Sequence, residues 1–265
     1  IKIITVEDFP HLNKRQGQNY IRKGREAFWS NRDLQSFTPL RFSPPQLMNY
    51  EGRAVVVDPD VFALADINEL FALDMKGKPI HCRQTQSAFG KDPYWGTSVM
   101  LLDCENLTHW KWDQMIDDMF EKKFDYGNWI SLRMEDQNKI EKLDPAWNDF
   151  DHLDKQTKML HTTERSTQPW KTGLPIDFDT IYSKPKKATL SEKLVAPIQK
   201  LLGLKPEQPD IPRYAPHPDP NQEKFIFSLL TGMLEEGIAT EEDLRYEMSK
   251  DFLRHDAIEV LRKIP

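Results

Sequence analysis

The sequence predicts an α/β protein: a mixed, mainly parallel sheet flanked by helices, followed by a C-terminal helical appendage. Two apolar runs, at residues 54–57 and 98–102, predict strands covered on both faces. Segments with apolar residues at helical spacing follow them, the alternation expected when helices join the strands of one sheet. Beyond Trp170 the pattern gives way to a proline-rich stretch and then to helix-forming sequence, which predicts the appendage.

The elements can be justified in order. Residues 1–6, with Ile1, Ile3, Ile4 and Val6, read as a buried strand, and residues 7–31 as a polar, loop-rich excursion carrying Gly17 and Gly24. Over 34–50 the apolar positions are Leu34, Phe37, Leu40, Leu47 and Met48; Pro39 lies near a helix start, and Pro44-Pro45 breaks the pattern. The strand at 53–57 comes next, then a short helical turn from Ile67 to Phe71. Pro79 to Cys82 is a candidate strand and 98–102 a stronger one. Residues 107–124 place Leu107, Trp110, Met115, Ile116, Met119 and Phe120 at helical spacing. Residues 191–202 read as an amphipathic helix closed by Gly203. Six prolines between Lys205 and Pro220 imply an extended connector. From Asn221 onward Phe225, Leu229, Leu230, Met233 and Leu234 form one helical face, and Thr240 with Asp243 reads as a capping box. The expected domains are therefore 1–175, a connector at 176–220 with one short helix, and a helical appendage at 221–265.

Composition narrows the class. Charged residues make up 29% and apolar residues 38% of the 265 positions, as in a globular chain that buries a substantial core. A net charge of −6 argues against a broad nucleic-acid-binding face. No apolar run is long enough for a membrane span. Cys82 and Cys104 lie in apolar segments and read as buried free thiols, which leads to the expectation of cytoplasmic residence. The sequence opens at Ile1, without Met and directly in a strand-like segment. One or more N-terminal strands are therefore expected to be missing.

The chemistry is concentrated at Asp58-Pro59-Asp60. Two carboxylates one residue apart follow the apolar run 54–57, at the end of a strand, where ligands of open α/β sheets collect. Such a pair can meet a hard divalent cation carrying phosphates, since Mg²⁺ and Mn²⁺ take oxygen ligands from one or two carboxylates plus the substrate. Charged turns after strands are also common without metal. Two later polar residues are read in two ways each, Asp136 as a site residue or a solvated helix end and His161 as a ligand or a core histidine, while Trp147 and Trp170 read as core packing.

Taken in order, Arg41, Pro44-Pro45, the stretch from Val55 to Asp60, Asp66-Ile67-Asn68-Glu69-Leu70, the run from Val99 to Leu102, Asp136-Gln137, Trp147-Asn148 and His161 with Pro169-Trp170 resemble glycosyltransferase family 8. These are the glycogenin-like and lipopolysaccharide-galactosyltransferase-like enzymes with a GT-A fold, and the match spans roughly residues 38–171. The resemblance implies a GT-A-like sheet and hexosyl transfer from a nucleotide sugar, UDP-linked, to a glycan, protein or small-molecule acceptor. It implies Mn²⁺ (or Mg²⁺) held by Asp58, Asp60 and His161, a ligand set of carboxylates and imidazole that suits Mn²⁺ better than Ca²⁺. Arg41 would add positive charge near the donor or, equally, pair with a nearby acid. Asp136 would grip sugar hydroxyls and Gln137 would lie near the anomeric carbon, with transfer retaining configuration.

Three departures stand against the pattern. Gly96 occupies the place of an asparagine before the second apolar run. Gln168 replaces the lysine before Pro169-Trp170, leaving Arg165 or Lys171 to return the charge at the diphosphate, with Lys171 taken as the donor-binding residue. Only 57 residues precede Asp58. The competing readings are a protein of this fold that binds a nucleotide sugar or glycan without turnover, and a nucleotidyltransferase, which would carry a Gly-rich phosphate loop not visible here. Neither the sugar nor the oligomeric state can be read from the residues.

Overall fold

The computed structural model describes residues 1–86, 93–178 and 212–263. They divide into two compact units, one formed by Ile1–Thr163 with Phe178, the other by Glu164–Asp177 with residues 212–263.

The first unit begins with a short helix α1 (Pro10–Asn13) and a hairpin of β1 (Asn19–Arg22) with β2 (Arg25–Phe28). Lys23 and Gly24 both take positive φ in its turn, the backbone that a two-residue hairpin requires. Next come a 3₁₀ turn at Thr38–Phe42, helix α2 (Pro44–Leu47), strands β3 (Arg53–Val57) and β4 (Val61–Ala63), helix α3 (Ile67–Phe71), and strands β5 (Ile80–Gln86) and β6 (Pro93–Asp103). Helices α4 (Trp112–Phe120) and α5 (Tyr126–Ile130) precede β7 (Ile140–Lys142), β8 (Asp149–Phe150) and β9 (Met159–His161).

The main sheet has the order β3-β6-β5-β7, and a second sheet the order β4-β9-β8. In the main sheet, alternate residues of β6 serve two cores, as the apolar run predicts. Met100 and Leu102 face a cluster with Phe42, Trp110, Trp112, Ile116 and Trp129. Val99 and Leu101 face one with Leu70, Trp147 and Met159. Period-2 alternation within an apolar run is how one strand covers both faces.

The mixed α/β architecture with flanking helices is as expected, but the sheet is not mainly parallel among the described residues. β3 and β5 both run antiparallel to β6, and β4 antiparallel to β9; only β5 with β7 and β8 with β9 are parallel. Connection length supplies the reason. Six residues separate β5 from β6, too few for the crossover of a dozen or more that parallel neighbours need.

Other local expectations are corrected. Residues 1–5 form no strand, and Ile1 and Ile3 are exposed. The excursion at 7–31 contains the hairpin. Pro44-Pro45 opens α2 rather than ending a helix, since proline at the first helical position gives up only an N–H that would be unpaired there. The helix expected over 107–124 is confined to α4, because Leu107 and Trp110 close i, i+3 turns before it.

In the second unit, helices α6 (Pro220–Glu235), α7 (Glu241–Ser249) and α8 (Ala257–Leu261) bury Phe227, Leu244, Leu253 and Ala257 together, with Trp170 packed against them. The capping box at Thr240 and Asp243 is present. The helix expected at 191–202 and the connector up to residue 211 lie outside the described residues. Among these residues no helix is long and apolar enough to cross a membrane.

Candidate metal centre

Asp58 follows β3 directly, and its backbone N–H continues the ladder to the Ser98 carbonyl at 3.0 Å. The chain turns sharply there, with the Val61 N–H reaching back to the Asp58 carbonyl at 3.2 Å. Asp60 is thereby carried to the head of β4. The register of β4 on β9 sets Val61 opposite His161. Thr162 fixes the junction, its N–H and its hydroxyl both donating to the Asp60 carbonyl at 3.1 Å. Backbone pairing alone brings the two segments together.

Among the described residues, Asp58, Asp60 and His161 form a group whose ligand atoms all lie within 4.8 Å of one another. Asp58 and His161 are buried and Asp60 is partly so. Burial pushes the Asp58 carboxyl above its ordinary value; the Arg41 guanidinium pulls against that, Asp60 adds to it, and His161 draws it down. His161 is oriented from behind: its Nδ1 faces Asn148 Oδ1 at 2.9 Å, while Asn148 Nδ2 donates to Ser98 Oγ at 3.0 Å. An amide oxygen can only accept, so Nδ1 carries a proton, and in the neutral ring Nε2 presents its lone pair.

That lone pair points at a second one. His161 Nε2 lies 3.4 Å from Asp60 Oδ1, within ion-pair distance, yet the oxygen is buried and makes no aligned hydrogen bond. Two acceptors held face to face with one of them orphaned is an arrangement that a cation relieves. Two carboxylates and one neutral imidazole, the latter held at its other nitrogen, fit a divalent ion that completes its coordination with phosphate oxygens.

Arg41 pairs with a nearby acid, one of its two expected roles. Its Nε donates to Asp58 Oδ1 at 2.8 Å, its Nη2 pairs with Asp58 Oδ2, and its Nη1 donates to Thr97 Oγ1 at 2.9 Å. It lies at the site, and it is an ion-pair partner there. Each carboxylate oxygen still has a further lone pair for a metal.

The remaining expected residues are placed as follows. Asp136 is exposed and accepts from the Asn138 N–H and side-chain amide, a local turn. Gln137 accepts from Trp95 Nε1 at 2.7 Å and donates to the Leu132 and Glu135 carbonyls, so its amide is committed at both ends. Lys171 is buried within the second unit, where it donates to Asp177 Oδ2 at 2.7 Å and to the Asp251 carbonyl at 2.8 Å. Trp147 is core, with Lys158 over its ring.

Three contributors were missed as site residues from sequence: Thr97, Ser98 and Asn148. Thr97 and Ser98 stand where the β5–β6 pairing shifts register, so that Cys82 faces Met100 while Arg83 faces Gly96. The signal for Asn148 was the Trp147-Asn148 pair itself, and for Thr97 and Ser98 the small polar pair heading an apolar run.

No family model matches the sequence, and no curated protein matches it either. Solved structures do. The glycosyltransferase GlyE of Streptococcus pneumoniae TIGR4, in its apo form, is similar at 20% identity with a TM-score of 0.41 over 50% of this chain and 38% of that one. The bifunctional glycosyltransferase WbbM, also apo, gives 15% and 0.39 over 55% of this chain and 34% of its own. The galactosyltransferase LgtC, solved in complex with donor and acceptor sugar analogs, gives 11% and 0.38 over 65% and 69%. The chain thus spans little more than a third of the GlyE and WbbM chains.

Proposed function

We propose that this chain is the core of a metal-dependent glycosyltransferase that takes a UDP-linked sugar and transfers the sugar to an acceptor with retention. The observation that carries the reading is the orphaned Asp60 oxygen facing the lone pair of His161, beside Asp58. The fit of this donor set to Mn²⁺ or Mg²⁺ supports the cofactor. When bound, the ion would neutralise charge on the departing nucleoside diphosphate as a Lewis acid.

The chain's own residues do the rest. Asn148 holds the His161 tautomer that presents Nε2. Arg41 fixes the Asp58 carboxylate against rotation by its two-point contact. Gln137, with its amide committed, is a poor nucleophile. Same-face transfer, in which the acceptor oxygen forms the new bond as the phosphate oxygen leaves and takes the acceptor's proton, is the more economical retaining route. Asp136 is the side chain we assign to the sugar hydroxyls. The two buried free cysteines support residence in the cytoplasm.

The test is release of UDP from a panel of UDP-sugars with and without Mn²⁺, followed by NMR of the anomeric product. Mn²⁺-dependent release with the α/β configuration preserved is the expected result. Tight donor binding without release would instead favour the non-catalytic binder, a reading supported by the departures at Gly96 and Gln168. Absence of both sinks the assignment.

A further inference from the structure

We propose that Arg83 is the side chain that meets an anionic oxygen of the metal-held donor, an inference that rests on the function proposed above. A diphosphate brought to two carboxylates needs cationic partners besides the metal. Arg41 is closed on Asp58 and Thr97, and Lys171 is bound to Asp177 and the Asp251 carbonyl within the second unit. Arg83 is differently placed. Its Nη1 donates to the Asn148 carbonyl oxygen, and its Nε is buried without a hydrogen-bond partner. The carboxylate it pairs with, Asp149, stands off at 3.7 Å, beyond hydrogen-bond length. That carboxylate is engaged elsewhere: its Oδ2 accepts from Thr157 Oγ1 and faces His152 Nδ1, both at 3.1 Å.

Phe150 and Asn148 hold this loosely paired charge next to the His161 imidazole. The guanidinium lies over Phe150, 4.2 Å from the ring centroid, and the same ring meets His161 edge to face at 5.3 Å. Asn148 serves both side chains, accepting from Arg83 at its backbone oxygen and facing His161 Nδ1 with its side chain. Arg83 also stands at the register shift of β5 on β6, an irregularity of the kind that re-aims a side chain beside a functional site. Its cross-strand partner is Gly96. A guanidinium so braced suits forked hydrogen bonds to phosphate or carboxylate oxygens.

Two sources offer that chemistry: the diphosphate, or a carboxylate on the donor sugar. Calorimetry on the full chain, as wild type, Arg83→Gln and Arg83→Lys, separates them with four probes: Mn²⁺ alone, then inorganic pyrophosphate, UDP-glucose and UDP-glucuronate on the Mn²⁺-loaded protein. We expect Mn²⁺ affinity to stay within about twofold, and pyrophosphate to bind about tenfold more weakly to Arg83→Gln with partial recovery in Arg83→Lys. Unchanged pyrophosphate affinity with loss of a wild-type preference for UDP-glucuronate over UDP-glucose would assign the contact to the sugar carboxylate. Equal binding of every probe by wild type and Arg83→Gln overturns the proposal, as does a parallel loss of Mn²⁺ affinity, which would make Arg83 a brace for His161 only. Should Arg83→Gln not fold, Arg83→Lys decides alone: weaker pyrophosphate binding at unchanged Mn²⁺ affinity supports the contact, and no change removes it. A wild type that binds no Mn²⁺ fails the parent reading first, and this one with it.

Discussion

Asp58 is closed on both oxygens by Arg41, whereas Asp60 keeps one buried oxygen without a hydrogen bond, so the same substitution carries different costs at the two positions. Asp60→Asn should remove Mn²⁺ binding and leave the urea midpoint of the metal-free protein unchanged. Asp58→Asn should remove Mn²⁺ binding and also destabilise by about 3 kcal/mol, because it strips the charge partner from a guanidinium that is itself largely buried. Equal stabilities for the two variants would show that the Arg41 pair contributes nothing. Asn148 acts at one remove: Asn148→Ala frees the His161 ring and should weaken Mn²⁺ by about 10- to 100-fold in calorimetry, with His161 still present.

At the scale of elements, β5 carries a titratable group away from the site. His81 is buried, with Nε2 3.0 Å from the Met75 carbonyl. Burial lowers its pKa below the ordinary 6.5, and the Met75 carbonyl opposes that shift only in part. The folded protein therefore binds fewer protons than the unfolded chain just below that value, so stability rises with pH there. The His81 contribution is complete above pH 6.5 and is lost as pH falls through the lowered folded value. With metal chelated, the wild-type melting temperature should fall on acidification from pH 7 to about 5 more steeply than that of His81→Gln. Parallel profiles would contradict this.

The same elements show what could be read in advance. β3 and β6 were legible because nothing competes with an apolar run flanked by turns. The hairpin β1–β2 was not, since its inward positions include Arg22, a charge that disguises the alternation. The structure explains the exception, as Arg22 is paired with Gln35, stands 3.8 Å from Asp33 and stacks over Tyr126. Strand direction was misjudged because it depends on connection length rather than on apolar pattern. Asp58, Asp60 and His161 could be picked out by residue type and order, and the Trp147-Asn148 pair marked the place of Asn148 without its hold on the imidazole, while Arg83 could not be picked out. Its placement arises from a register shift, which leaves no periodic trace.

Across the molecule, the three candidate ligands all come from the first unit, and the second has its own core and its own polar clamp. Arg254 donates to Glu223 Oε2 at 2.7 Å and to both Asp256 oxygens, while its backbone N–H reaches the Trp170 carbonyl at 2.7 Å. Arg254→Ala should destabilise that unit by about 2 kcal/mol, a value discounted because Asp256 is half exposed. Mn²⁺ affinity should not change; a fall would mean that the clamp supports the metal site as well. Burial holds the Cys104 thiol up at about 11 and raises Cys82 further, so neither should react with a thiol reagent before global unfolding.

A short ladder between β4 and β9, continued by the Thr162 N–H on the Asp60 carbonyl, joins the two ends of the candidate site, and a cation across Asp60 and His161 would rivet it shut. Occupancy and folding then become one equilibrium. The unfolding free energy should climb with the logarithm of free Mn²⁺ above its dissociation constant, by about RT for each e-fold of concentration, and the midpoint of heat denaturation should rise with it. A flat profile would mean that the ion finds the unfolded chain as congenial as the native one.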